Sequence, residues 1–285
     1  MIENKNTKIK RIAAITMARN DTFFLNRWIN YYGAQLGKEN LYIYLDGQDQ
    51  TAPENAENAN IIHCERVAEH VVRAEKRRLR FLSERAAELL KTYDIIIGAD
   101  ADEFLVVDPK TEKTLPEYLS SLPYKTSVSA LGMDVGQHLD LEARLDCEQP
   151  FLAQRQFALL ASRYTKPSVI FRPVFWGSGF HRIKGHNFRI DKNLYLLHFG
   201  SIDYQMIMER LEDKDRIATG RKKHILKRAH TIRMISKKKA RTGDKWLNWA
   251  RIIQYFVRPI FALNKPSMGV WNLVVKIPER FNKLL

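Results

Sequence analysis

The chain has 285 residues, 45% apolar, 11% aromatic and 28% charged, a globular composition that excludes a disordered or fibrous protein. Its net charge of +15 is unevenly placed: residues 1–150 carry 19 Lys and Arg against 24 Asp and Glu, whereas residues 151–285 carry 28 against 8. Cys64 and Cys147 offer neither zinc spacing nor a disulfide framework, so a reducing compartment is expected.

The opening residues are basic, but their apolar run is too short for a secretion signal. No apolar stretch reaches the roughly 18 residues of a membrane-spanning helix. "RIAAITMARN" reads as a short buried strand that ends at Arg19-Asn20-Asp21. "FFLNRWINYYGAQLG" follows with Phe24, Trp28, Ile29, Tyr32 and Leu36 at helical spacing, Asp21 or Thr22 as N-cap and Gly37 as the stop. "NLYIYLDGQDQ" is a second strand closed by an Asp46-Gly47 turn, and "NIIHCERV" a third. "VRAEKRRLRFLSERAAELLKTY" is a long amphipathic helix that leads into the strand "DIIIGAD". Strand, helix, strand, strand, helix, strand describes an α/β domain with a mostly parallel sheet.

Beyond residue 110, "TSVSALGMDVG", "KPSVIFRP", "HNFRI" and "LYLLHFGSID" read as further strands, with "GSGFHRIKG" as a Gly-rich loop. From Asp203 the chain turns helical and basic: residues 210–245 hold 14 Lys and Arg against 4 Asp and Glu. Trp246, Trp249, Tyr255, Phe256, Phe261 and Trp271 follow. The expected division is a catalytic domain over 1–205 and a basic, aromatic-rich helical extension over 206–285.

In an open α/β sheet, ligands sit beyond the carboxyl ends of the strands. Arg19-Asn20, Asp46 and Asp100/Asp102 each fall at such an end. "YDIIIGADADEFLVVDP" places Asp100, Asp102 and Glu103 between two apolar runs, with Asp108 just beyond. Close carboxylates repel and lose hydration near a core, so a positive partner is required. Two partners fit: a Lys or Arg with some solvent, or a divalent cation bridging to phosphate. No Walker-type loop is present, which argues against a P-loop nucleotidase.

"ITMARNDTFFLNRWINYYGAQLGKENLYIYLDGQDQ" resembles the opening of family-2-like glycosyltransferases, of the subgroup similar to glycosyltransferase family 92. "DADEFL" resembles their Asp-x-Asp element, and "KPSVIFRP…GSGFH" and "LYLLHFGSID" resemble later blocks. The resemblance spans residues 11–205, with Asp21 where Glu is more usual. It implies a GT-A fold, a nucleotide-diphosphate sugar donor (UDP expected) and Mn²⁺ or Mg²⁺. By position, Ala18, Arg19 and Asn20 would line the nucleotide pocket, Asp46 would contact base or ribose, Asp100 would face the ribose, and Asp102 would bind the metal. Ordinary turn chemistry is the other reading of Arg19, Asn20 and Asp46.

In such enzymes a histidine from the later half often completes the metal site. His198, at a strand end, is the expected ligand, with His181 its competitor and His186 in the same loop. An inverting displacement also needs a base for the acceptor hydroxyl. Asp134 and Glu103 are the candidates, Glu103 with the alternative of supporting the metal ligands. Arg73, Lys76, Arg77 and Arg80 share one helix, where a solvated or salt-bridged face competes with diphosphate binding.

The basic, aromatic tail fits three roles: the interface of an anionic membrane, packing against the core, or nucleic-acid binding. The expected protein is a cytoplasmic glycosyltransferase, peripheral at the inner face of a membrane, acting on a glycan or lipid-linked acceptor in cell-surface polysaccharide assembly. No nucleic acid is expected as its partner. The competing readings are a nucleic-acid-binding protein and an inactive, membrane-bound adaptor.

Overall fold

A computed structural model describes residues 8–67, 69–183, 189–213, 217–218, 220, 222–256 and 273–285. Alternation in the first strand, β1 (Ile12–Ala18), splits its side chains between two cores. Ile12 and Ala14 face helix α1 (Thr22–Leu36), which buries Phe24, Leu25, Trp28, Ile29 and Tyr32 at three- and four-residue spacing. Ala13 and Ile15 face helix α2 (Val71–Leu89), which buries Leu79, Leu82 and Ala86. Gly37, at φ 86°, ends α1 as expected. Asp21 precedes α1 without capping it through its side chain; the carboxylate reaches Arg210 at 2.8 Å instead.

Strands β2 (Leu41–Asp46), β3 (Asn60–Cys64) and β4 (Ile95–Gly98) join β1 in the order β3-β2-β1-β4, all parallel. The second half adds β5 (Glu103–Val107), helix α3 (Leu115–Ser121), β6 (Ser127–Gly136), the single turn α4 (Phe151–Gln154), β7 (Phe157–Leu160), β8 (Val169–Ile170) and β9 (Ile190–Ser201). Thr114 and Glu117 close a capping box at the start of α3. Helices α5 (Tyr204–Glu212), α6 (Lys222–Lys237) and α7 (Asp244–Phe256) precede β10 (Leu273–Lys276). The sheet runs β10-β7-β6-β8-β4-β1-β2-β3, with β9 parallel to β6 and β5 antiparallel to β9. Among the described residues this is a mixed sheet of ten strands, with helices on both faces.

The expected strand "KPSVIFRP" shrinks to the two residues of β8, which bridge β4 and β6. Residues 186–188 of "HNFRI", Lys184 and Gly185 of the Gly-rich loop, and Phe261 and Trp271 lie outside the described residues. Residues on either side of position 205 share one core: Leu247, Ala250, Val275, Ile277 and Phe281 belong to the cluster that holds Phe24, Trp28 and Phe104. Arg280 grips Asp108 with a fork of 2.7 and 2.9 Å and meets Asp244 at 2.9 Å. That fork fastens the C-terminal residues to the end of β5.

Candidate active site

At the end of β1, Arg19 turns toward β2. Its Nη1 donates to the Asp46 carbonyl at 2.7 Å, and its two nitrogens fork onto Asp49 at 2.8 and 2.7 Å. Asn20, at φ 50°, donates its N–H to Gln50 Oε1 at 2.7 Å and accepts from Gln50 Nε2 at 2.9 Å. Arg19 and Asn20 therefore join the carboxyl ends of two neighbouring strands. Ala18 is buried and Asp46 half-buried behind them.

The acidic turn follows β4. Strand register then places Glu103 opposite His198 on β9, and His198 beside Asp134 on β6. The Phe199 N–H donates to the Asp102 carbonyl at 2.9 Å and pins the turn against β9. His198 Nδ1 lies 2.7 Å from Asp134 Oδ1, and Nε2 lies 3.3 Å from Asp102 Oδ2. Tyr164 stacks on the imidazole with ring centroids 3.8 Å apart. Thr231 Oγ1 donates to the other oxygen of Asp134 at 3.0 Å.

Every carboxylate here has a cation against it. Asp100 meets Arg78 at 2.9 Å and Lys166 at 3.1 Å; Lys166 also meets Glu103 at 2.5 Å; Arg228 donates to Asp102 at 2.8 Å. Burial works against the charge of Asp102, but His198 and Arg228 hold its carboxyl well below the usual range. Burial likewise opposes Asp100, and Lys166 and Arg78 outweigh it. Lys166 is desolvated, yet Asp100 and Glu103 push it up to about 12. Desolvation opposes the imidazolium of His198, while Asp102 and Asp134 push it up to about 9. His181 lies on the Lys166 side, where burial and that ammonium bring it down to about 3 and keep it neutral.

Two glycines let this site close. A Cβ on Gly132 would lie 2.3 Å from the backbone carbon of Tyr164, so only glycine on β6 lets the Tyr164–Lys166 segment cross the sheet. A Cβ on Gly200 would lie 2.5 Å from the His198 ring and 2.7 Å from Arg228 Nε.

The structure thus gathers Asp100, Asp102, Glu103, Asp134 and His198 into one cluster beyond the ends of the parallel strands. Neither base candidate is free: Asp134 is held by His198 and Thr231, and Glu103 is 1% exposed against Lys166. Arg73, Lys76, Arg77 and Arg80 are exposed on α2, and Arg77 pairs with Glu69. Arg78, between them, is the residue that turns inward. His186 lies outside the described residues.

Sequence reasoning missed Arg78, Lys166, Tyr164, Arg228 and Thr231. A signal existed for two of them: Arg228 and Thr231 border the buried positions Ile225, Ala229 and Ile232 of α6. Of the tail aromatics, Trp246, Trp249 and Tyr255 are half-buried, and Phe256 is 76% exposed.

Among the described residues, no three His, Cys, Asp or Glu side chains form a metal cage. Asp102 Oδ2 and His198 Nε2, 3.3 Å apart, are nevertheless close enough to share one cation. Asp134 behind Nδ1 supplies the carboxylate that commonly orients a metal-binding histidine. Two protein ligands suit Mg²⁺ or Mn²⁺, which complete their shells with water and phosphate oxygens. The donor set fits the ion that the resemblance implies once that ion takes the place of the proton that His198 Nε2 holds toward Asp102.

No protein-family model matches the chain, and no curated protein matches it. Among solved structures it is similar to the mannosyltransferase PcManGT from Pyrobaculum calidifontis, in complex with GDP-Man and Mn²⁺. That likeness has 15% identity and a TM-score of 0.29, over 46% of this chain and 37% of that one. It is also similar to a glycosyltransferase involved in glycosylation of the major capsid of PBCV-1, at 12% identity and a TM-score of 0.26, over 43% of this chain and 51% of that one. The chain spans between about a third and a half of the length of these structures. Both likenesses are partial, and the chemistry of the site rests on its own geometry.

Among the described residues, no helix is long and apolar enough to cross a membrane.

Proposed function

We propose that this chain is a GT-A-type glycosyltransferase. It moves a sugar from a nucleotide-diphosphate donor, with UDP the expected nucleotide, onto a glycan or lipid-linked acceptor. The setting is cell-surface polysaccharide assembly at the cytoplasmic face of a membrane, with inversion the expected outcome. One observation carries the reading: Asp102, His198 and Asp134 stand in line at the carboxyl ends of the strands, with Arg228 beside Asp102.

In this reading Asp102 and His198 hold a Mn²⁺ or Mg²⁺ ion. That ion would supply positive charge to the departing nucleotide diphosphate. Asp134 aims His198 through Nδ1, and Thr231 fixes Asp134 in turn. Asp134 is then a positioning residue rather than the base. Lys166 and Arg78 hold Asp100 ionised, facing the ribose. Arg19 and Asn20 set the wall of the nucleotide pocket by tying the ends of β1 and β2 together, with Asp46 behind them. Arg228 presents N–H donors to a phosphate, because only its bond to Asp102 is made within the described residues.

Thermal melting with a panel of nucleoside diphosphates, with and without Mn²⁺, tests the proposal. A ligand that binds the folded state raises the melting temperature by mass action. One nucleotide should stabilise the protein only with Mn²⁺, and Asp102→Ala should abolish the effect. If no nucleotide shifts the melt at millimolar concentration, the transferase reading fails.

A further inference from the structure

Helix α6 has two unlike faces. Inward, Ile225, Ala229, Ile232 and Ile235 are buried, and Arg228 and Thr231 reach Asp102 and Asp134. Outward, Lys222, Lys223, Lys227, Arg233 and Lys237 are all exposed around an exposed Leu226. The helix contains no Asp or Glu. None of those five cations has an ion-pair partner among the described residues.

At 3.6 residues per turn, Lys222 and Arg233 lie almost in line, Lys237 and Lys223 follow round the helix and Lys227 lies furthest, the five spanning about 140° of its circumference. From Lys223 to Lys237 the strip runs roughly 20 Å at about 1.5 Å per residue. Like charges held side by side repel: at Lys227, burial and the neighbouring Arg163 and Lys223 lower the pKa. A face built this way matches negative charge spread over an area rather than at one point.

We infer that the outward face of α6 docks on the phosphate headgroups of an anionic lipid bilayer, through charge and without insertion. The apolar face of the helix is already committed to the protein core, so it cannot enter the acyl boundary as an interfacial helix does. Single-stranded nucleic acid would call for aromatic stacking platforms, and this face carries none. Because the same helix reaches the acidic cluster from its other side, docking places the headgroups about one helix diameter, ~10–12 Å, from Arg228 and Thr231. The inference deepens the membrane setting proposed above; its test uses no nucleotide, so it can fail while the transferase reading stands.

The experiment is co-sedimentation of the full chain with phosphatidylcholine vesicles, pure or with about 30% phosphatidylglycerol, at low and high salt. Binding is expected only to the anionic vesicles and should weaken as salt rises. Each cation near such a surface contributes about 1 kcal/mol, so a Lys223→Gln, Arg233→Gln, Lys237→Gln triple variant should partition about a hundredfold more weakly. These are exposed positions, and an unchanged melting temperature confirms folding. An Ile252→Ser, Phe256→Ser variant of α7 should bind as wild type. The inference is overturned if the triple variant binds normally, if the α7 variant loses binding instead, or if a single-stranded oligonucleotide binds more tightly than the vesicles.

Discussion

Arg228 Nη2 lies 2.8 Å from Asp102 Oδ2, although 126 residues separate the two along the chain. The Arg228 side chain is 24% exposed and that of Asp102 only 8%, so the carboxylate is the deeper of the two. A helix from the basic half thereby reaches the acidic turn that follows β4. Replacing Arg228 with Gln should weaken nucleoside diphosphate binding about 10- to 100-fold, the worth of a charge-assisted hydrogen bond. Titration calorimetry checks this, and an unchanged affinity would separate Arg228 from the phosphates.

His198 depends on Asp134 for its orientation. Asp134→Ala removes the acceptor at Nδ1 and frees the imidazole to turn under Tyr164. Mn²⁺ affinity should fall about 10- to 100-fold, the usual cost of losing the group behind a metal-binding histidine. Asp134→Asn can keep an oxygen toward Nδ1 and should retain most of that affinity. Equal losses in the two variants, read by Mn²⁺ titration, would show that Asp134 acts by charge rather than by orientation.

The strand ends were legible because they follow from local pattern. Short, near-continuous apolar runs mark β1, β2 and β4, as expected of parallel strands buried on both faces, and a polar residue soon after each run marks its carboxyl end. His198 follows the apolar run of β9 but does not end that strand, which continues to Ser201, so its pairing with Asp134 came from strand register rather than from local pattern. The cations were not legible, because a salt bridge is a tertiary choice. On α2, Arg73, Lys76, Arg77 and Arg80 looked no different from Arg78 in sequence. What separates Arg78 is its place on the side of the helix toward Phe180 and Asp100. Lys166 is harder still, since it sits in an irregular segment whose path depends on Gly132, 34 positions earlier.

That dependence on Gly132 is open to direct test. A Gly132→Ala methyl would meet the Tyr164 backbone at 2.3 Å, and backbone cannot rotate aside as a side chain can. Overpacking of this kind costs about 1–3 kcal/mol. The displaced segment also carries Tyr164 and Lys166 away from His198 and Asp100. Urea denaturation should show the loss of stability, and nucleotide binding should fall with it. A variant as stable as wild type would mean that the Tyr164–Lys166 segment adjusts freely.

The Arg280 fork sets part of the acid sensitivity. Burial disfavours the charged forms of Asp108 and Asp244, but hydrogen bonds and charge from Arg280, with Lys110 at Asp244, bring both pKa values below the ordinary range. A carboxyl whose folded pKa lies below its unfolded value binds more protons when unfolded. Its stabilisation is complete above the unfolded pKa, ~3.9 for Asp, and is lost as pH falls through the lower folded value. Arg280→Ala should therefore cost about 1–3 kcal/mol near neutral pH, because Asp108 is left buried without its charged partner. The penalty should shrink as acid protonates Asp108 and Asp244. Denaturant melts of both proteins from pH 7 downward give the comparison. Curves that stay parallel into the acid range would mean that Arg280 stabilises the C-terminal residues by packing on Phe281, whose ring lies 4.9 Å from its guanidinium, and not by charge.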